Sequence, residues 1–236
     1  MKKKHWQSVM MFLFVLSLSS AAWAIDIMIE IPNGDFEDGT LSGHTLTGTG
    51  IGKVVNSSVV STAGSPATGP TAFETAFPVF GNFFATFSAG TPTTTLTTDS
   101  FWAEAGDFFK VYLGFDSEDW GGFFNDAMSW GLKLVSPNVV VVADVVADTD
   151  SLGAYGDSGW IEVLTEIPLS GFYQAEYSVW NEGDSAYDSW ARVDAAHLIR
   201  KVPEPAINLL LPSALVVLGW TMQRRQKARM KNISVA

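Results

Sequence analysis

The chain has 236 residues, a length that suits one β-sandwich domain or two smaller domains. Hydrophobic residues make up 47% and aromatic residues 13% against 17% charged, which excludes a largely disordered chain. Basic residues gather at the two ends and leave 25–201 with 24 acidic and 6 basic residues, a net charge of −18, which excludes a body that binds nucleic acid by displacing counterions.

Lys2, Lys3 and Lys4 precede an apolar run over 9–18, followed by Ser19, Ser20 and the small-residue ending Ala22-Trp23-Ala24. This order predicts a secretory signal peptide over 1–24, cleaved after Ala24, and implies the Sec export machinery and a signal peptidase as partners. The alternative is a retained anchor, for which the run is short of the roughly 20 residues a spanning helix needs.

The body, 25–201, reads as all-β. Short runs rich in Val, Phe, Thr and Tyr are bounded by Gly, Ser, Asp and Pro. Strands are expected at 27–31, 53–60, 79–88, 93–98, 108–115, 128–135, 139–147, 160–167, 172–180 and 189–199. Phe109, Val111, Leu113 and Phe115 alternate with Phe108, Lys110, Tyr112 and Gly114, the period of a strand with one face in a core. Such runs without intervening helices predict two packed antiparallel sheets, a jelly roll or related sandwich. The Gly-, Ser- and Pro-rich stretch 61–70 is expected to be a long surface loop.

After the body, Val202-Pro203-Glu204-Pro205 leads into the 17-residue uncharged segment 206–222, a transmembrane helix by expectation, and then into Arg224, Arg225, Lys227, Arg229 and Lys231. The positive-inside rule keeps that basic tail cytoplasmic and the body outside the inner membrane, and residues 232–236 trail beyond it. Signal peptide, Pro-Glu-Pro, apolar helix and Arg-rich tail together resemble the PEP-CTERM proteins of Gram-negative bacteria. The resemblance implies that 202–231 is a sorting signal, with Val202, Pro203, Glu204, Pro205, Arg224 and Arg225 as its motif residues. It further implies processing near Pro-Glu-Pro by an exosortase and a place in the cell envelope or exopolysaccharide matrix. The alternative is an ordinary single-span anchor.

At the head of the body, Asn33-Gly34-Asp35-Phe36-Glu37-Asp38-Gly39 precedes Leu41-Ser42-Gly43. It is similar to the opening signature of galactose-binding-like jelly rolls, which include many carbohydrate-binding modules. Tyr187-Asp188-Ser189-Trp190-Ala191-Arg192-Val193-Asp194 resembles their closing strand, although His44 stands where those domains commonly carry Trp. The resemblance implies a structural Ca2+ between Glu37 and Asp194, with Asp35 as a further ligand. A hard cation also suits so acidic a body. The alternative is that Glu37 bonds backbone amides in its turn while Asp194 faces solvent.

Other chemistry is thinly provisioned. The absence of cysteine removes disulfides, thiolate metal sites and cysteine nucleophiles, and His44 and His197 are the two histidines of the body. The acid-rich run Asp116-Ser117-Glu118-Asp119-Trp120 could serve glycoside hydrolysis, which needs two carboxylates at a set separation, but reads first as a solvated loop. No catalytic residue is assigned, and the chain is read as non-catalytic. Asp148-Thr149-Asp150-Ser151-Leu152-Gly153 lacks the later ligands of an EF-hand loop. Among the body's tryptophans, Trp120, beside Gly121-Gly122 in an expected loop, is the candidate for stacking on a sugar ring, with core or edge packing as the alternative. The expected function is structural or glycan-binding, with extracellular polysaccharide as partner, and a surface polysaccharide hydrolase is the rival.

Overall fold

The structure, a computed structural model, describes residues 24–65, 68–183 and 187–203. Residues 27–200 form one compact unit. Of a second unit, made of the chain's two ends, the described residues are 24–26 and 201–203.

The strands are β1 (Ala24–Glu30), β2 (His44–Thr47), β3 (Gly52–Val55), β4 (Ser58–Ser65), β5 (Gly69–Ala76), β6 (Phe84–Ser88), β7 (Thr94–Thr98), β8 (Phe101–Ala103), β9 (Phe108–Asp116), β10 (Ala127–Leu134), β11 (Val139–Asp148), β12 (Ile161–Glu166), β13 (Gly171–Trp180) and β14 (Trp190–Pro203). A single helical turn, α1 (Thr149–Leu152), follows β11. One sheet runs β12-β9-β14-β6-β3 with β1 against β14. The other runs β11-β10-β13-β7-β2 with β8 against β13. β4 and β5 form a separate two-stranded hairpin. β9 pairs antiparallel with β12 and β14, and β13 with β7, β8 and β10. The all-β, antiparallel reading of the body therefore holds.

Alternation builds the core. On β9, Phe109, Val111, Leu113 and Phe115 are fully buried, and on β13 Tyr173, Ala175, Tyr177 and Val179 oppose them from the second sheet. Phe109 stacks between Phe101 of β8 and Trp130 of β10, with ring centroids 6.0 and 6.1 Å away, so one ring ties the two layers together. β14 keeps Ala191 and Val193 in this core, then bulges: residues 195 and 196 separate Asp194, opposite Tyr112, from His197, opposite Lys110. Ala195 takes a left-handed φ of 53° there, and the extra residue returns Leu198 to the core opposite Phe109. The bulge amide of Ala196 donates to the Gly34 carbonyl at 2.8 Å, joining the opening turn to the closing strand. A side chain at Gly34 would collide with the Ala196 carbonyl.

Several expected boundaries differ. The run 53–60 splits into β3 and β4 at Asn56-Ser57. Residues 79–83 are loop rather than the start of β6, because distant carboxylates take their amides. Of the expected loop 61–70, residues 61–65 instead lie in β4 and 69–70 in β5, with Ser61 pinned from outside by a buried carboxylate. β2 and β8 were not anticipated; they are short strands that complete the second sheet. Asp148 is the N-cap of α1, accepting from the Ser151 amide at 2.7 Å, which gives its acidic stretch a capping role.

Val202 and Pro203 close β14, while Glu204, Pro205, Arg224, Arg225, residues 1–23 of the expected signal peptide 1–24 and the apolar segment 206–222 lie outside the described residues. Among the described residues no helix is long and apolar enough to cross a membrane.

Candidate functional site

Trp120 lies in the loop between β9 and β10, half-buried, and is not alone. Its ring meets Phe124 edge-on at 4.9 Å and Tyr187 at 6.1 Å. Phe123 beside them is 90% exposed and Tyr187 61% exposed. Gly121 and Gly122 have φ of 83° and 73°, left-handed values that let the chain turn back on itself, and Gly121 bridges Phe124.

The loop stands on a buried polar base. Asp119 accepts from the Trp120 amide at 2.9 Å and Asp150 from the Gly122 amide at 2.7 Å. Asp126 accepts from the Glu182 amide at 2.8 Å and the Ser189 hydroxyl at 2.7 Å, while Ser117 and Thr149 share a hydroxyl pair at 2.8 Å. Asp116, Ser117, Asp119, Asp126, Thr149 and Ser189 are all buried, so the expected solvated loop is a packed one. These bonds hold the loop backbone at Trp120 and Gly122, and the exposed rings of Phe123 and Tyr187 are of the kind that stack on the C–H face of a sugar. Sequence reasoning found Trp120 and missed Phe123, Phe124 and Tyr187; the Gly-Gly-Phe-Phe run after Trp120 was the available signal.

Glu37 and Asp194 come together at another place. Glu37 Oε1 accepts from the amides of Asn82 at 2.6 Å and Phe83 at 2.8 Å, and its Oε2 from Asn82 Nδ2 at 3.0 Å. Asp194 Oδ2 accepts from the amides of Val79 at 2.6 Å and Phe80 at 3.1 Å. Glu37 thus bonds backbone amides, but in the 79–83 loop and not in its own turn. Asp194 is fully buried, correcting the expectation that it would otherwise face solvent. Burial pushes Glu37 up, but its amide donors outweigh that and hold it below the usual carboxylate range. Asp194 is pushed up to about 6 by burial, against the pull of the Phe80, Val79 and Ala195 amides, and the Glu37 charge adds to the rise.

As a cation site this arrangement offers one obvious donor. Asp194 Oδ1 is buried and makes no hydrogen bond among the described residues. Asp35, the third expected ligand, accepts from the Glu37 amide at 3.3 Å. Among the described residues no group of three or more His, Cys, Asp or Glu gathers as a metal cluster, so further ligands would have to be carbonyls and water.

Asp116 ends β9 beneath the β4–β5 hairpin. Its Oδ1 accepts from the Ser61 amide at 3.1 Å and the Ser61 hydroxyl at 3.0 Å. Burial and the Glu118 charge push it up to about 7, against the pull of Ser61 and Arg192. Arg192, 1% exposed, pairs with Asp157 and lies over the Trp160 ring at 5.4 Å. His44 packs on Phe36 at 4.7 Å and His197 bonds the Ala195 carbonyl at 2.7 Å, so each has a structural place.

Fold and site together define an all-β sandwich module that carries an aromatic loop platform at one end. No protein-family model and no curated protein matches the chain. Among solved structures it is similar to the enzymatically active domain of tailspike protein 4 of bacteriophage CBA120, with 12% identity and a TM-score of 0.44 over 74% of this chain. The chain spans only 21% of that protein's length. It is also similar to a carbohydrate-binding module of the β-sandwich superfamily (18% identity, TM-score 0.40, covering 73% of this chain and 62% of that one). A third similar structure is a Caldicellulosiruptor saccharolyticus carbohydrate-binding module in complex with mannohexaose (11% identity, TM-score 0.41, 73% and 96%).

Proposed function

We propose that this chain is an exported, non-catalytic glycan-binding module of a Gram-negative cell envelope or exopolysaccharide layer, with a galactose-binding-like jelly-roll body. The observation that carries the reading is the aromatic group in which half-buried Trp120 and Phe124, on an internally bonded loop, stand beside the exposed rings of Phe123 and Tyr187. Export through the N-terminal segment and sorting at Pro203-Glu204-Pro205 by an exosortase rest on the order of charge, apolar run and Pro-Glu-Pro in the sequence. A structural Ca2+ at Asp194 Oδ1, beside Glu37, is part of the same reading: a cation would relieve two neighbouring carboxylates and give the orphaned oxygen a partner.

The rival, a surface hydrolase, needs two carboxylates facing one cleft. Asp116 and Asp119 are buried and accept hydrogen bonds from their own chain, which counts against that role. The test is a glycan panel on the full chain, purified in a detergent without a sugar head group, with release of reducing ends followed in parallel. Binding that is lost in Trp120→Ala, without release, is the expected result. Release favours the hydrolase, and binding that survives Trp120→Ala and Phe123→Ala together removes the platform from the reading.

A further inference from the structure

The first sheet carries a cavity of about 440 Å3 on its outer face, lined by residues of β1, β9, β14, the opening turn and the 79–83 loop. That volume lies within the roughly 300–1,000 Å3 of small-ligand pockets and has room for a mono- or disaccharide. Three features build it. The Glu37 and Asp194 carboxylates fix the wall that holds Val79 and Phe80. The β14 bulge puts Ala195 and Ala196 at the base. The register of β9 with β14 sets Lys110 opposite His197.

The chemistry of the lining is one-sided. Phe80, 57% exposed, with Met28 and Ile199, supplies apolar surface. The polar groups are mostly acceptors. His197 Nδ1 lies 2.7 Å from the Ala195 carbonyl, which only accepts, so Nδ1 carries the proton and Nε2 holds the lone pair. Tyr112 donates its hydroxyl proton to Glu162 at 2.6 Å and accepts from Lys110, which leaves its oxygen one further acceptor position. Glu30 and Asp35 add carboxylates. Lys110, 3.0 Å from Glu162, has three donors and spends one on that pair and one on the Tyr112 oxygen, which leaves one for a ligand. An acceptor-rich cavity with one ammonium and an apolar wall suits a ligand that presents several O–H donors and a C–H face. Its carboxylates and the net charge of −18 over 25–201 disfavour anions.

From this lining we infer that the cavity is a second saccharide subsite, for a neutral pyranose, separate from the Trp120 loop. The inference rests on the glycan-binding reading above, and its test separates the two. Calorimetric titrations of the full chain, in the same detergent, use cellohexaose, xylohexaose and mannohexaose, with hexagalacturonate as the anionic control and benzyltrimethylammonium as the cationic one. Phe80→Ala, at an exposed side chain, and His197→Leu are each expected to weaken one binding step about tenfold or more, the equivalent of about 1.4 kcal/mol. His197→Gln, which keeps an acceptor near the Nε2 position, should retain that step, and Trp120→Ala should remove the other. Loss of all binding in Trp120→Ala with none lost in Phe80→Ala or His197→Leu overturns the cavity site and leaves the loop site standing. Loss confined to the cavity variants does the reverse. Binding of the ammonium probe or of hexagalacturonate at the cavity in place of the neutral sugars overturns the saccharide assignment.

Discussion

Glu37 and Asp194, far apart in sequence, grip adjoining stretches of one loop: Glu37 holds the amides of Asn82 and Phe83, and Asp194 those of Val79 and Phe80. Two like charges at neighbouring positions make this clamp dependent on what neutralises them. In the absence of a cation the neutralising agent is a proton on Asp194.

The Asp194 contribution to stability should therefore fall as pH rises, against the rise that the lowered value of Glu37 contributes. Asp194 has an ordinary value of 3.8 and is pushed up to about 6 by burial. Between those values the folded protein holds a proton that the unfolded chain has released, so this contribution is full below about pH 4 and lost as pH rises through about 6. In EDTA, the wild type should lose more melting temperature between pH 4 and pH 7 than Asp194→Asn does, by about 2–4 °C for each kcal/mol that Asp194 contributes. Millimolar Ca2+ should flatten that slope by binding the ionised form, and Asp194→Asn should remove both the calcium effect and this group's share of the slope. A wild type whose melting is the same in EDTA and in Ca2+ at pH 7 sinks the calcium proposal, whatever its pH slope.

Asp116 is a second titrating latch, at the β4–β5 hairpin. Its ionised form, favoured above about pH 7, depends on the two hydrogen bonds from Ser61. Ser61→Ala removes the hydroxyl donor and should cost about 1–3 kcal/mol where the carboxylate is charged, less where it is protonated. Thermal melts at pH 5 and pH 8 would show the larger loss at pH 8. An equal loss at both pH values would mean that Asp116 does not titrate between them.

What the sequence made legible was whatever local pattern could carry. The alternation of Phe109, Val111, Leu113 and Phe115 marked β9, and Trp120 beside Gly121-Gly122 marked the loop that carries the platform. The failures share a cause in long-range bonding. Val79 and Phe80 look like strand residues, yet their amides belong to Asp194, which no window around residue 79 contains. Ser61 sits in loop-like composition, yet Asp116 secures it in a strand. Tyr187 joins Trp120 only because β9 and β14 are paired neighbours, a relationship of topology and not of spacing.

Processing at the C-terminal end is open to direct measurement. Pro203 closes β14, and the proline on each side of Glu204 is the sequence pattern from which an extended protease substrate is expected. Mass spectrometry of the protein from its native host should show loss of the residues from about Ile207 onward, the expectation for a sorting signal cleaved near Pro-Glu-Pro. An intact tail through Arg224 and Arg225 on the surface protein would favour a plain anchor.

Tyr177 and Tyr173 lie on the same inward face of β13, both fully buried, but their hydroxyls differ. Tyr173 donates to the Leu169 carbonyl at 2.7 Å, whereas the Tyr177 hydroxyl has no hydrogen-bond partner among the described residues. Burial drives the Tyr177 phenol far above its ordinary value, so it stays neutral at any physiological pH. A buried hydroxyl without a partner costs about 1–3 kcal/mol of lost hydration, and removing it leaves the ring packing intact. Tyr177→Phe should therefore raise stability by about 1 kcal/mol, or about 2–4 °C in melting temperature, while Tyr173→Phe should lower it by a similar amount. Denaturant titrations of the two variants beside the wild type decide the matter. If Tyr177→Phe proves the more destabilising of the pair, its hydroxyl has a partner in solution, and a buried water bridging it to the core becomes the better account.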